Sequence, residues 1–397
     1  MSLMAIPILF MTILGIWPAE FIERRLQKLC YRIYSVITFS FFTTFLMSLF
    51  SGCVDLVGNP SVLPERKNSC LTVTLAITLA VIKVVIFYKY RLPYVGHSVF
   101  KQEQKLVLGD AEEKKLYEEI NKYAQHMYFA LLSSAGCAVV FYIIGAFVSL
   151  NVLGYKNWNF DDKSFMLELY FPFEKNRHFI WIIIFNIFSA FFVFLVRSSG
   201  NVMYYSLVLF GKLQLQLLQL RVKKFKEQIR ESDADFKLVV VKFVKDHDEV
   251  IRFIKNLRDC SKYPLLLEFL LNSFNVASLL LQIITSISVI SFIDLCFLLL
   301  FLSFVFLEIY AISWTANEIK VQSLEIGDAI CDGLWYEQEE HIKKLLVLII
   351  LRTQKPLHLT LGPFSPLTTD TIIWMLKASY SYFTVMKKIY DKNMEFQ

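Results

Sequence analysis

The stretch Met127–Leu150, MYFALLSSAGCAVVFYIIGAFVSL, contains 24 residues and no charged side chain. A helix of about 20 apolar residues crosses the hydrocarbon core of a bilayer, where every backbone amide must find its hydrogen-bond partner within the chain. Six further apolar runs of this kind lie at Ile33–Phe50, Leu71–Tyr88, Phe179–Val196, Leu265–Ile290, Leu295–Ala311 and Thr371–Met386. The sequence therefore predicts an all-α, seven-transmembrane helical membrane protein.

The composition of the whole chain agrees with this prediction. Of its 397 residues, 56% are hydrophobic and 19% are charged, whereas soluble domains are about half apolar and about a quarter charged. The seven cysteines and six histidines show neither metal-ligand spacing nor the density of a disulfide scaffold. The sequence has no Gly-rich phosphate loop and no nucleophile elbow. We therefore predict a receptor, channel or transporter without a cofactor or metal, and not an enzyme or a nucleic-acid-binding protein.

Lysine and arginine residues divide unequally between the two sides of the seven segments. With a cytosolic N-terminus, 30 of the 41 lie on the cytosolic side and 9 on the outer side, and Lys83 and Lys377 lie within segments. Cytosolic loops carry an excess of basic residues in membrane proteins. The charge pattern therefore predicts a cytosolic N-terminus and an extracellular C-terminus.

Two apolar stretches lie outside the seven segments. We interpret Val202–Leu220 as a helix that continues the fourth segment into the cytosol, because a crossing there would carry the basic cluster Arg221–Arg230 to the outer side. Residues 197–263 are then helical extensions below the membrane. The apolar N-terminus lacks the features of a signal peptide, and it predicts an interfacial segment with Trp17 as its anchor.

Two carboxylates and two cysteines lie at notable positions. Glu268 begins the fifth segment and Glu308 lies near the end of the sixth, so their side chains are predicted to reach the membrane interface. Cys53 and Cys70 flank one short outer loop, and the sequence leaves open whether they form a disulfide.

The last segment is the most polar of the seven. Within Asp370–Tyr390 it carries Lys377, Ser381 and Lys388 beside the apolar residues Val385 and Ile389. Such a helix cannot face lipid on all sides, so one face must meet protein or water. Two interpretations remain at this point: an ordinary buried helix of a bundle, or a pore helix with an apolar constriction that gates by dewetting.

Three short motifs resemble those of the insect odorant receptor family. They are the ending Lys377-Ala378-Ser379-Tyr380-Ser381-Tyr382-Phe383-Thr384-Val385-Met386, the pair Gln354-Lys355-Pro356-Leu357 and Leu361-Gly362-Pro363-Phe364, and the start Leu14-Gly15-Ile16-Trp17-Pro18. The resemblance implies a ligand-gated, non-selective cation channel that assembles as a heterotetramer with the odorant receptor coreceptor. It implies a tuning subunit, because the chain lacks the coreceptor's insertion between the fourth and fifth segments.

The resemblance also assigns roles to regions of the chain. It implies a cytosolic or interfacial segment at 1–32, transmembrane helices one to six at 33–314, a cytosolic anchor region at 315–366, and a pore-lining helix with a short tail at 367–397. The implied pore and gate residues are Ser381, Val385, Lys388 and Ile389. The implied anchor interface residues are Leu334, Trp335, Leu345, Leu346, Leu348 and Ile349.

The family's ligand pocket lies in the outer half of the bundle, among the second, third, fourth and sixth segments. A pocket for a small volatile ligand is expected to be small and apolar with few polar groups. The candidates by position are Thr74, Ile77, Thr78, Phe141, Tyr142, Gly145, Trp181, Phe185, Phe188, Phe297, Phe301 and Phe304.

The expected partners are the coreceptor, the volatile ligand and membrane lipid, and the expected location is the plasma membrane of olfactory sensory neuron dendrites. Two other receptor classes are alternatives. A gustatory receptor-type channel has a different ending of the last helix, and a G-protein-coupled receptor has an extracellular N-terminus.

Overall fold

The structure is a computed structural model that describes residues 2–59, 64–153, 169–171, 178–228, 233–286, 292–332, 335–337 and 339–395. Within these ranges the chain forms ten α-helices and one two-stranded antiparallel hairpin. The helices are α1 (Ala5–Ile13), α2 (Arg25–Gly58), α3 (Pro64–Lys89), α4 (Leu92–Val107), α5 (Ala111–Leu153), α6 (Phe179–Gln228), α7 (Asp233–Ser286), α8 (Phe292–Cys331), α9 (Glu340–Thr353) and α10 (Asp370–Glu395), and the strands are β1 (Thr360–Leu361) and β2 (Ser365–Pro366). The predicted all-α class is confirmed.

The predicted membrane segments lie in α2, α3, α5, α6, α7, α8 and α10, and residues 287–290 at the end of the fifth segment lie outside the described residues. Helices α2, α5, α6, α7 and α8 each contain a stretch long and apolar enough to cross a membrane, and α3 contains the shorter apolar stretch Val73–Ile86. Helix α6 has 50 residues, so it extends about 75 Å and passes well beyond a hydrocarbon core about 30 Å thick. The competing stretch Val202–Leu220 belongs to α6 and continues the fourth segment.

The core is concentrated around the C-terminal half of α6. Val202, Leu207, Leu213 and Leu217 are at most 1% exposed, and the neighbouring helices α1, α5, α7 and α8 pack around them. Burying such a side chain stabilises the fold by about 1.5–3 kcal/mol. The C-terminal half of α6 is therefore the centre around which the neighbouring helices pack.

One face of the N-terminal segment is buried within the chain, and Trp17 is buried with it, which corrects the prediction that Trp17 is an anchor. Met4 and Met11 are fully buried, and Trp17 is 7% exposed and packs against Phe21 at a ring-centroid distance of 5.6 Å. Trp17 is therefore not an interfacial anchor. The turn after α1 requires Gly15, which has φ +71 and where a Cβ atom would lie 2.9 Å from the Cα atom of Ser35.

Two details complete the fold. Helix α4 buries Glu103, which is 1% exposed beside the N-terminal segment, and burial raises the pKa of this carboxyl to about 7.

The structure forms no disulfide between the described residues Cys53 and Cys70, both of which are buried.

The hairpin connects α9 to α10 and is fixed to α7. The backbone N–H of Gly362 donates to the carbonyl oxygen of Lys262 at 2.9 Å, and the N–H of Leu367 donates to the carbonyl oxygen of Leu359 at 2.8 Å. Gly362 has φ +60, a conformation that favours glycine. The start of α10 is thereby held against α7, along which the last helix packs.

Candidate functional site

A small apolar cavity lies between α3, α5, α6 and α8. Its volume is about 80 Å³. The lining residues are Val73 of α3, Ala135, Ala138, Val139 and Tyr142 of α5, Ala190, Val193, Phe194, Arg197 and Ser198 of α6, and Phe297, Phe301 and Phe304 of α8. On α8 these residues follow the i, i+4, i+7 spacing, which places them on one helix face.

Aromatic rings form one wall of this cavity. The rings of Phe297 and Phe301 stack at 6.1 Å, those of Phe301 and Phe304 stack at 6.5 Å, and Tyr142 lies 6.1 Å from Phe297. The opposing α5 wall carries alanines, whose small side chains leave the space open. Such a cavity suits a small, mostly apolar molecule that gains dispersion and hydrophobic energy.

One charged residue, Arg197, lines the cavity. Its guanidinium carbon lies 5.2 Å from the centroid of the Phe304 ring, within the range of a cation–π interaction. Its Nη2 atom donates to Glu308 at 2.7 Å and to Asn272 at 3.3 Å. Its Nε atom is buried and makes no hydrogen bond to any described residue. The cavity therefore combines apolar walls with one unsatisfied donor beside it.

Arg197 belongs to a buried charge network that joins four helices. Lys83 of α3 lies 2.6 Å from Glu268 of α7 and 3.9 Å from Glu308 of α8. Asn201 of α6 accepts a hydrogen bond from Lys83 at 2.5 Å and donates to Glu308. Two cations and two carboxylates thus balance within the bundle.

This network corrects the interfacial prediction for Glu268 and Glu308, which are 5% and 6% exposed. Burying a charge in the membrane is costly unless it is paired with an opposite charge. The sequence showed charged residues in separate apolar segments, but it could not show which of them meet across the bundle.

Helix α10 leaves most of its surface uncovered by the rest of the chain. Thr371, Met375 and Ser379 are at most 1% exposed and form its buried face. Tyr382 also contacts α7, at 6.4 Å from the ring of Phe274. The opposite face carries a polar stripe at the i, i+4, i+7, i+11 spacing, which consists of Lys377, Ser381, Thr384 and Lys388, all exposed.

A sequence model of the family described as 7tm Odorant receptor matches residues 66–380, most of the chain. The chain belongs to the 7tm odorant receptor family. It is 34% identical over 191 residues to Odorant receptor 10 of Aedes albopictus, covering 47% of this chain and 49% of the relative. It is 36% identical over 151 residues to Odorant receptor Or2 of Anopheles gambiae, covering 37% of this chain and 38% of the relative. These matches span about half or less of each mosquito receptor.

A longer but weaker match and a solved structure extend the likeness over the chain. Odorant receptor 82a of Drosophila melanogaster is 21% identical over 332 residues, covering 82% of this chain and 85% of the relative. The fold is similar to that of the insect olfactory receptor OR5 from Machilis hrabei, solved in complex with eugenol, with a TM-score of 0.81, 17% identity and 97% of each chain covered. This odorant receptor is a multi-pass membrane protein, and its family separates it from the two alternative receptor classes and from enzymes.

Four of the twelve residues suggested for a ligand pocket line the cavity: Tyr142, Phe297, Phe301 and Phe304. The α3 candidates lie elsewhere. The hydroxyl of Thr74 donates to the carbonyl of Cys70 at 2.8 Å, that of Thr78 donates to the carbonyl of Thr74 at 2.7 Å, and Ile77 packs in the core.

The remaining α5 and α6 candidates do not line the cavity. Phe141 is only partly buried and does not line the cavity, and Gly145 lies beside Asp294 at the start of α8. Trp181 is 72% exposed. Phe185 and Phe188 contact Phe41 of α2 at ring-centroid distances of 6.1 and 5.3 Å. The face of α6 with these three aromatic residues points away from the cavity.

Arg197 and the small residues of the cavity wall were not among the predicted pocket residues. Ala135, Ala138 and Tyr142 on α5 follow the same helical spacing as Ala190, Val193 and Arg197 on α6. An alanine face opposite a phenylalanine face is the signal that could have located the cavity, because small side chains leave the space that large ones surround.

The predicted anchor residues divide between two faces of α9. Ile342, Leu346 and Ile349 are buried within this chain, so Ile349 and Leu346 are occupied by internal contacts with the core. Leu348 is 61% exposed. Leu345 and Trp335 are partly buried against the core, and Leu334 lies outside the described residues.

Proposed function

We propose that this odorant receptor is the tuning subunit of a ligand-gated, non-selective cation channel that forms a heterotetramer with the odorant receptor coreceptor. The observation that carries the proposal is the polar stripe of α10. Its two lysines, serine and threonine lie on the face opposite the bundle. Charged side chains facing lipid are costly, and in membrane proteins they face water or protein. A shared aqueous pore between subunits gives this stripe its water.

The proposed gate residues Val385 and Ile389 continue from Ser381 in four-residue steps, and the rest of the chain does not cover them. Val385 is 59% exposed and Ile389 is 57% exposed. When several subunits surround a pore, such apolar side chains form a constriction that excludes water and ions. Lys388 would place a ring of positive charge there in a homotetramer and repel cations. This charge favours a mixed assembly in which other subunits carry an uncharged residue.

The cavity beside Arg197 is the proposed binding site for the volatile ligand. Its volume of about 80 Å³ is about half that of a cavity that binds benzene, about 150 Å³, so the walls must move to admit a ligand of that size. Its phenylalanine wall favours an apolar or aromatic body. The buried Nε of Arg197 favours a hydrogen-bond acceptor such as a carbonyl or hydroxyl oxygen on the ligand.

The charge network supplies a route from this cavity to the pore. Arg197 lines the cavity and binds Glu308, whose partner Asn201 also holds Lys83, and Lys83 pairs with Glu268 of α7. Helix α7 is the main packing partner of α10. A ligand that shifts Arg197 therefore perturbs the helix on which the pore helix rests.

The exposed face of α9 is the proposed contact with the coreceptor. Leu348 and Leu351 are 61% and 53% exposed, whereas the opposite face of α9 is buried. An amphipathic helix with a second apolar face buries it against another element. We place the assembled channel in the plasma membrane of olfactory neuron dendrites.

Cysteine accessibility in the channel coexpressed with the coreceptor tests the pore assignment. Ser381→Cys lies on the polar stripe, and Ser379→Cys is a matched control at a position 1% exposed and facing the bundle. A charged, membrane-impermeant thiol reagent is expected to change the odorant-evoked current of Ser381→Cys only. Equal insensitivity of both variants, with surface expression and odorant responses intact, would remove α10 from the pore.

A further inference from the structure

A basic cleft lies at the junction of α7 and the segment that follows α9. Its volume is about 360 Å³. Four cationic side chains line it. Lys255 and Arg258 belong to α7, Arg352 lies in the last turn of α9, and Lys355 lies two residues after the end of α9. His358 and the apolar residues Ile254, Pro356 and Leu357 complete its surface, and no carboxylate is among its described lining residues.

Most of the positive charge in this cleft is uncompensated. Arg258 has a carboxylate neighbour, Asp259 at 3.4 Å, which also lies 3.7 Å from Lys262. Within the described part of the chain, Lys255, Arg352 and Lys355 form no ion pair. Arg352 contributes, after burial, to the lowering of the pKa of His247 to about 4. The field of the cleft therefore extends to its surroundings and favours an anion.

Two hydrogen bonds hold the segment after α9 in place beside α7 and α8. The backbone N–H of Leu357 donates to the hydroxyl oxygen of Ser323 in α8 at 2.9 Å. The Arg352 guanidinium donates to the carbonyl oxygen of Lys355 at 3.3 Å. Cations from two separate chain segments thus line one cleft. An anion needs more than one charged group to contact the cations of both segments.

The position of the cleft indicates the source of the anion. Arg258 and Lys255 precede Leu265, the predicted start of the fifth membrane segment, by seven and ten residues. At 1.5 Å per residue this is about 10–15 Å from the hydrocarbon edge, just beyond the headgroup layer of the bilayer. The charge distribution predicts that this face is cytosolic, where anionic lipids are concentrated.

We propose that this cleft binds a polyphosphate group, namely the headgroup of an inner-leaflet phosphoinositide or a soluble inositol polyphosphate of the same chemistry. Guanidinium groups bind phosphate oxygens bidentately, and ammonium groups add point charges. The bound anion joins α7 to the segment that leads through the hairpin to α10. Its binding can be measured without channel activity, so the proposal is independent of the proposed channel function.

Native mass spectrometry of the purified full-length receptor in detergent tests this proposal. Phosphatidylinositol bisphosphate and phosphatidylserine are added in separate titrations, and soluble inositol trisphosphate is added as a competitor. We expect one phosphatidylinositol bisphosphate per chain, displaced by inositol trisphosphate, and little phosphatidylserine. Binding of inositol trisphosphate without the lipid assigns the site to the soluble anion. Equal binding of the two lipids, or no binding of either phosphorylated probe, overturns the proposal.

A matched pair of double variants distinguishes the cleft from general surface charge. Lys255→Gln with Lys355→Gln removes two exposed cleft lysines, and Lys242→Gln with Lys245→Gln removes two exposed lysines elsewhere on α7. Each lysine near an anionic group contributes about a fivefold effect, so the cleft variant is expected to bind about thirtyfold more weakly. The control should bind like the wild type. Equal weakening in both, with unchanged melting temperatures, contradicts a defined site.

Discussion

The pairing of Lys83 with Glu268 can be tested by a double-mutant cycle. The two side chains are 5% and 7% exposed, and their charged atoms lie 2.6 Å apart. Replacing either one alone, as Lys83→Met or Glu268→Leu, leaves the other charge buried without its main partner. Breaking a buried ion pair in this way destabilises a protein by about 3–5 kcal/mol. Replacing both by apolar residues removes the two desolvation penalties together.

We therefore expect the double variant to be more stable than the sum of the single variants predicts, with a coupling of about 2 kcal/mol or more. This coupling energy is smaller than the full cost of breaking a buried ion pair, because Lys83 keeps Asn201 and Glu308 as neighbours when Glu268 is replaced. Fluorescence-detected size-exclusion chromatography after heating measures the fraction of folded receptor in detergent. The exposed pair Lys344 and Glu340, 3.6 Å apart, serves as the control and should show no measurable coupling. Additive losses at the buried pair would refute the network as an energetic unit.

Three further predictions concern the cavity, the gate and α4. Val139→Phe fills the cavity and should raise the odorant concentration for half-maximal current about tenfold or more, whereas Val140→Phe, at a 53% exposed position on the same helix, should respond normally; equal responses would argue against this cavity. Val385→Ala or Ile389→Ala should raise the basal current of the coexpressed channel by widening the apolar constriction; unchanged leak and selectivity in both would exclude these residues from the gate. Because the pKa of Glu103 is raised from 4.5 to about 7, the folded state binds the proton more tightly, and stability falls as the pH rises between these values. Glu103→Gln should remove this fall, a gain of about 3 kcal/mol above pH 7, and a melting-temperature profile with an unchanged slope would contradict it.

The sequence predicted the helical segments well because each is a long apolar run with its own hydrogen bonds. The same information did not determine how each helix is rotated about its axis. Phe297, Phe301 and Phe304 face the cavity, whereas Trp181 and Phe188 point away from it, although all five are aromatic residues in apolar segments. Rotation depends on contacts between helices, and a single sequence records only the order of residues along each one.

The partners of charged residues in the membrane segments were also not predictable from the sequence. The sequence places Glu268 and Glu308 at helix ends, where an interfacial position is the simplest expectation. Their burial depends on Lys83 and Arg197, which come from two other helices and lie far away in the chain. The burial of Trp17 was likewise not predictable, because one of the rings that it contacts, that of His97, follows it by 80 positions in the chain.

Arg197 belongs both to the cavity wall and to the buried charge network. Substitutions in the cavity wall therefore have two different kinds of consequence. A substitution at Ala138, Val139 or Phe301 alters the shape of the cavity without breaking a charge pair. A substitution at Arg197 also leaves Glu308 without its 2.7 Å partner and lowers stability. We therefore expect substitutions in the apolar walls to change ligand preference at little cost, whereas replacing Arg197 requires a matching change at Glu308.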